Sequence, residues 1–203
     1  ENGDYVFTPV IEGYKVSAEL PEITVTVGAQ PRMMLMRGAV PTDLWVGTTK
    51  VTDENASNVL GDSGTPTVTY DEESNTLTLN GANITGATQS LSGGGSRTCG
   101  IFKESGDLNI VLHGTNTIGF SADSEFSFAG IYTEGQLSIK GTSTSTDSFS
   151  VTNTFATTGE SFGIRGTKGV TIDGCTVNAT AGSITDDQNS FGIYANTGSL
   201  SIK

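Results

Sequence analysis

Few residues in this chain have reactive chemistry to offer, and their spacing is uneven. One His and two Cys in 203 residues disfavour His-centred triads, His-rich metal sites and Cys-based zinc sites. Carboxylates dominate instead: 22 Asp and Glu against 10 Lys and Arg give a net charge of −12. That balance leaves no basic face for nucleic acid or an anionic membrane. Two arrangements remain. The first is a row, Phe102, Tyr132, Arg165 and Tyr194, at intervals of 30, 33 and 29 residues. Stacked aromatics make a flat platform for the apolar faces of sugar rings, with Arg or Tyr donating hydrogen bonds. The plainer reading is a row packed under loops, or one that follows strand propensity. The second is acidic: Asp123 and Glu125, then Glu160, then Asp186 and Asp187. Neighbouring carboxylates could share a Ca²⁺, which takes six to eight oxygen ligands. No EF-hand or nonapeptide spacing is present, so a solvated acidic edge is the plainer reading.

Catalysis has less support. Glycoside hydrolysis needs two carboxylates facing one sugar, and lyase chemistry needs a Ca²⁺ cluster with a basic residue beside it. Of the four Arg, only Arg97 and Arg165 fall among the repeats described next, and Asp147 and Asp173 stand isolated. His113 follows Leu112 at a Gly turn, which makes it an exposed corner residue. The Gly-rich stretch Leu91–Ser96 precedes no helix, so it reads as a flexible loop rather than a phosphate cradle. No catalytic residue is assigned and no cofactor is required, Ca²⁺ being the one ion the acidic row could take.

The elements that must position these residues repeat along the chain. Four segments open on Gly-Ile: Gly100-Ile101, Gly130-Ile131, Gly163-Ile164 and Gly192-Ile193. Each leads to an alternating strand: Leu108-Asn109-Ile110, Leu137-Ser138-Ile139, Val170-Thr171-Ile172 and Leu200-Ser201-Ile202, with an earlier copy at Leu77-Thr78-Leu79. A third strand follows a Gly turn at residues 81–84, 114–118 and 174–177, and is displaced to Phe149-Ser150-Val151 in the unit after Gly141. Three short strands in about 30 residues are too few for a propeller blade, and no helical periodicity appears. The architecture predicted is all-β: a right-handed parallel β-helix with three strands per coil, each coil burying its inner face only by stacking on its neighbours.

Period-two alternation then assigns faces. It sends the Gly-Ile isoleucines inward, with Cys99, Ala129, Phe162 and Phe191 two residues earlier. The intervening Gly faces out or forms a corner, and the aromatic row points outward. Cys99 and Cys175, two coils apart at about 10 Å, exceed disulfide reach and read as buried free thiols. Asn83 and Asn116 hold equivalent positions in the third strand, which predicts an internal Asn ladder.

Residues 44–85 read as an N-terminal cap and first coil. Thr52 caps a short helix over residues 53–60, and a hairpin turns at residues 71–75. Residues 86–203 form the coils, and the open strand edges at Lys203 predict that the polypeptide continues. Residues 1–28 hold three strands without the repeat, and residues 29–43 are a linker with an apolar run at Met33, Met34 and Met36. Charged residues make up only 16% of the chain, and no window reaches the ~20 apolar residues of a membrane span.

Asp4-Tyr5-Val6-Phe7-Thr8-Pro9-Val10 and Leu20-Pro21-Glu22-Ile23-Thr24-Val25-Thr26-Val27 resemble the closing strands of Ig-like repeats in bacterial cell-surface proteins. Leu44-Trp45-Val46-Gly47, the stretch Val51–Gly61, Tyr70-Asp71 and Asn75–Asn80 resemble a β-helical module of large surface proteins in gut Firmicutes and their relatives. That class is often labelled carbohydrate-binding or of unknown function, and its members are exported and multi-domain. The resemblance implies an extracellular, adhesin-like, non-catalytic module that binds a polysaccharide or host glycan through Phe102, Tyr132, Arg165 and Tyr194. A structural stalk is the alternative, and a polysaccharide lyase or hydrolase the third reading. Further domains of the same chain are the other expected partners, with no nucleic acid and no membrane insertion.

Overall fold

A computed structural model describes residues 39–203, apart from 92–93, 122, 124–125, 143–145 and 186. The Ig-like segment and most of the linker lie outside the described residues. The described part is all-β. Four Gly-Ile strands, Ser96–Lys103, Phe128–Thr133, Ser161–Gly166 and Ser190–Ala195, pair in parallel in chain order. A second sheet stacks Thr76–Asn80, Leu108–His113, Gln136–Gly141, Gly169–Asp173 and Leu200–Ile202. A third stacks Asn83–Thr85, Thr115–Gly119, Ser148–Thr152 and Thr176–Thr180. This is the expected β-solenoid. The displaced strand re-enters in register, with Phe149 beside Asn116 and Val151 beside Ile118.

The core is the space the three sheets enclose. Ile101, Ile131 and Ile164 meet Leu108, Ile110, Leu137, Ile139, Val170 and Ile172 there, all buried. Burial of each such side chain contributes about 1.5–3 kcal/mol before ordering entropy is subtracted. The corners between the second and third sheets need a left-handed backbone: Gly81, Gly114 and Gly174 have φ of 65°, 66° and 63°. Only Gly adopts that conformation without steric cost.

The Gly-Ile strands depart from simple alternation. Cys99, Ala129 and Phe162 are not inward; they form a second cluster with Phe102 and Tyr132, against which Phe191 and Tyr194 pack. Nor does the Gly face out. A Cβ on Gly100, Gly130 or Gly163 would lie closer than 3.0 Å to Ile118, Val151 or Ala179, the inward side chains of the third sheet. Two successive positions, Gly and Ile, therefore face inward, and the residues flanking them face outward. Alternation thus shifts by one residue at the Gly of every coil, in unchanged register, which period-two reasoning cannot anticipate.

The N-terminal end is closed by antiparallel pairing. Pro41–Val46 pairs with the end of the first Gly-Ile strand and Ala87–Ser90 with its start, while Val68–Asp71 and Thr76–Asn80 form the expected hairpin. Pro41 begins a strand inside the stretch expected as linker. Residues 53–60 make successive turns, not a helix. Asn55 and Asn58 divert the backbone: Asn55 Oδ1 accepts from Thr52 N at 2.8 Å and Asn58 Oδ1 from Asp62 N at 2.9 Å. Such side chains compete with helical hydrogen bonds.

Asp43 on the closing strand pairs with Lys103 and accepts from Ser105 Oγ, and Lys103 Nζ reaches the Tyr70 hydroxyl at 3.3 Å. Burial raises the Asp43 pKa, but Lys103 and the Ser105 hydroxyl outweigh it and hold the carboxyl below its ordinary value. A depressed carboxylate pKa stabilises the fold above the unfolded value of about 3.9, and that contribution fades as pH falls through the folded pKa. In urea titrations, Asp43→Asn should therefore be less stable than wild type at neutral pH, with the gap closing below about pH 4. A gap that does not change with pH would contradict the assignment.

Candidate functional site

The aromatic row is in register: Tyr132 lies beside Phe102 on one side and Arg165 on the other, and Arg165 beside Tyr194. It is not the open platform expected. Phe102 is 2% exposed and Tyr132 3%. The Phe102 and Tyr132 ring centroids are 5.7 Å apart, and the Arg97 guanidinium sits 3.7 Å from the Tyr132 centroid. Arg165 approaches the same ring at 5.0 Å, Phe162 at 4.7 Å and Tyr194 at 5.6 Å, while its Nη1 pairs with Glu160 at 3.3 Å. Phe162, Phe191 and Tyr194 stack, with Phe191 and Tyr194 centroids 4.7 Å apart. Each ring pair contributes about 0.5–1.5 kcal/mol beyond area burial, and each guanidinium–ring contact a similar amount. The row is a clamp that ties successive coils together outside the barrel. Its Arg165, Phe191 and Tyr194 end is only partly buried.

Burial, then the hydrogen bond to Glu134, holds the Tyr132 phenol above its ordinary pKa. Burial also pushes the Cys99 thiol up to about 12, despite Arg97 nearby, which leaves it an unreactive packing group. Cys175 is also a free thiol, but only partly buried.

Where they are described, the acidic loops meet along one edge at the starts of the Gly-Ile strands. Thr98 N donates to Ser127 O, Phe128 N to Glu160 O and Ser161 N to Asn189 O, each at 3.0 Å. Their carboxylates do not converge among the described residues. Asp123 accepts from Ala156 N at 2.8 Å, Glu160 is held by Arg165, and Asp187 is exposed. Glu125 and Asp186 lie outside the described residues, and no group of three metal-ligating side chains forms among those described.

Two polar residues that matter were misread from sequence. Asn116 is 0% exposed, and the register sets Asn83 opposite Thr117 rather than opposite Asn116, so no Asn ladder forms. Asn83 lies outside, opposite Thr117. Asn116 accepts from Ala82 N at 2.8 Å and donates toward the His113 and Gly114 carbonyls, each at 3.2 Å. Asp147, read as isolated, is 2% exposed and accepts from Gly114 N, Thr142 N and Thr142 Oγ1 at 2.9, 2.7 and 2.9 Å. Both are corner staples. Their cue in the sequence is a short polar residue just beyond a turn, where backbone donors lack strand partners. His113 is exposed, as expected.

The three outer faces differ in chemistry. The Gly-Ile face carries the aromatic clamp, and the second sheet shows Lys140, Asp173 and His113. The third sheet presents three rows across the coils. The central row is Asn83, Thr117, Ser150 and Asn178; Thr115, Ser148 and Thr176 flank it on one side, and Thr85, Gly119, Thr152 and Thr180 on the other. No charged residue appears in these rows. Beside Asn83 and Thr85 lies a cleft of about 460 Å³, bounded also by Thr48, Thr49, Ser121 and the Phe120 ring.

Comparisons with protein-family models, with curated proteins and with solved structures found no match to this chain.

Proposed function

We propose that the chain is a non-catalytic module of an exported bacterial surface protein, a rigid solenoid that displays flat faces to glycan or to a host surface. The observation that carries this reading is the unbroken parallel register of all three sheets across successive coils. Such register fixes outward side chains in rows, so that a repeating ligand meets a preorganised surface. The module-like motifs of residues 44–80 supply the cellular setting.

A second reading, a spacer that only separates other domains, is favoured by the burial of Phe102 and Tyr132. The two part on binding. In a glycan array run with Ca²⁺ and with EDTA, the display reading predicts retention of folded protein by at least one glycan. An empty array, together with no retention by insoluble polysaccharides, would leave the spacer.

A further inference from the structure

We propose that the outer face of the third sheet is the docking surface, and that its partner is an ordered neutral polysaccharide. The inference rests on the display reading and names both face and ligand class. In a chain of net charge −12, this face carries no charged side chain in its three rows. It offers hydroxyls and amides, which donate and accept alike. A neutral polyol has the same dual character at every sugar, whereas an anionic or cationic ligand would find no counter-charge here.

Periodicity narrows the partner further. Parallel strands repeat every ~4.8 Å and alternate residues along a strand every ~6.7 Å, so the face is a grid of polar groups. A partner must itself repeat to use such a grid, as packed polysaccharide chains do. The grid is held from beneath by Ile84, Ile118 and Val151, all buried. It is also tied laterally, with Thr117 Oγ1 donating to Asn83 Oδ1 at 2.9 Å. Its side chains therefore lose little freedom on binding. Asn83 and Thr85 also line the adjoining cleft, where the Phe120 ring adds an apolar face and Asp123, outside the three rows, is the one charged lining residue. A Cβ on Gly86 would fall closer than 3.0 Å to that ring, so Gly86 is what lets Phe120 lie there. Each contact is weak, and affinity comes from many in register.

The test is co-sedimentation with insoluble cellulose, chitin and mannan, with polygalacturonate as a charged comparator. Three proteins are compared: wild type, Thr117→Lys/Ser150→Lys on the third sheet, and Ser138→Lys/Thr171→Lys on the second. All four substituted side chains are on the outer faces of their strands, and circular dichroism with urea titration checks that each variant folds. We expect wild type to be retained by at least one neutral polysaccharide, with little change up to ~1 M salt. The third-sheet variant should lose at least ~tenfold in affinity, and the second-sheet variant should match wild type. Equal retention of both variants would overturn the face while leaving the display reading intact. So would retention by soluble array glycans but by no insoluble polysaccharide. No retention in either format would end the display reading as well. Concentration-dependent dimerisation abolished by the third-sheet variant, with no polysaccharide retention, would overturn the proposal in favour of a second copy of the chain as occupant.

Discussion

Gly130→Ala should destabilise the solenoid by about 3 kcal/mol, near the top of the range for overpacking a core. The added Cβ would sit 2.5 Å from the Gly163 carbonyl oxygen and 2.8 Å from Val151 Cγ2. A side chain can turn away; a carbonyl fixed in a parallel ladder cannot, so the coil spacing itself must open. Because Gly163 meets the Gly192 carbonyl in the same way, the strain has no slack coil into which to relax. Gly64→Ala is the matched control, since nothing lies within 4 Å of its added Cβ. Urea titrations of the two variants should differ by most of the predicted cost. Equal stability would mean that the Gly-Ile pair does not face inward, and the packing described for the first sheet would be wrong.

The second large effect is expected at Asp147. Its carboxylate accepts from two backbone amides and one hydroxyl at the corner where the displaced third strand begins. Removing it in Asp147→Ala leaves Gly114 N and Thr142 N without that acceptor in a buried place. Hydrogen bonds to charged groups contribute about 1.5–3 kcal/mol each and are not additive, so a total of about 3–4 kcal/mol is expected. Asp147→Asn, which keeps one acceptor oxygen, should fall between the two. Amide hydrogen exchange at Gly114 and Thr142 should accelerate more than at Ile139, in the interior of the neighbouring strand. Uniform acceleration would mean that Asp147 supports the whole fold and not this corner.

These two sites show where sequence reasoning succeeded and where it stopped. The coil was legible because the Ile of each Gly-Ile pair recurs at nearly constant spacing, and a solenoid repeats its inward residues of necessity. The displaced strand at Phe149 was legible for the same reason, since its apolar pair had to rejoin the core. The inward Gly was not. A residue without a side chain leaves no hydrophobic signature, so Cys99 and Phe162 were assigned one step out of phase. The openness of the aromatic row was also beyond reach, because Arg97 covers Tyr132 from a neighbouring strand and pattern along one strand does not reveal cover from the next. The helix expected near Asn55 failed through local chemistry, with Asn side chains satisfying backbone amides that a helix would have used. The charge-free third face was present in plain sight as Thr, Ser and Asn. Its meaning depended on register, which only the stacked strands supply.

Register is thus the claim on which the packing, the clamp and the docking face all rest, and a disulfide test addresses it directly. Thr117 and Ser150 are paired on adjacent coils. Their Cα atoms, about 4.8 Å apart by strand spacing, fall within the range a disulfide spans. Thr117→Cys/Ser150→Cys should close that bond under mild oxidation, detected by peptide mapping, without loss of folding. The diagonal pair Thr117→Cys/Thr152→Cys, about 8 Å apart, should not. Closure of the diagonal pair in preference to the direct one would contradict the register, and the account built on it.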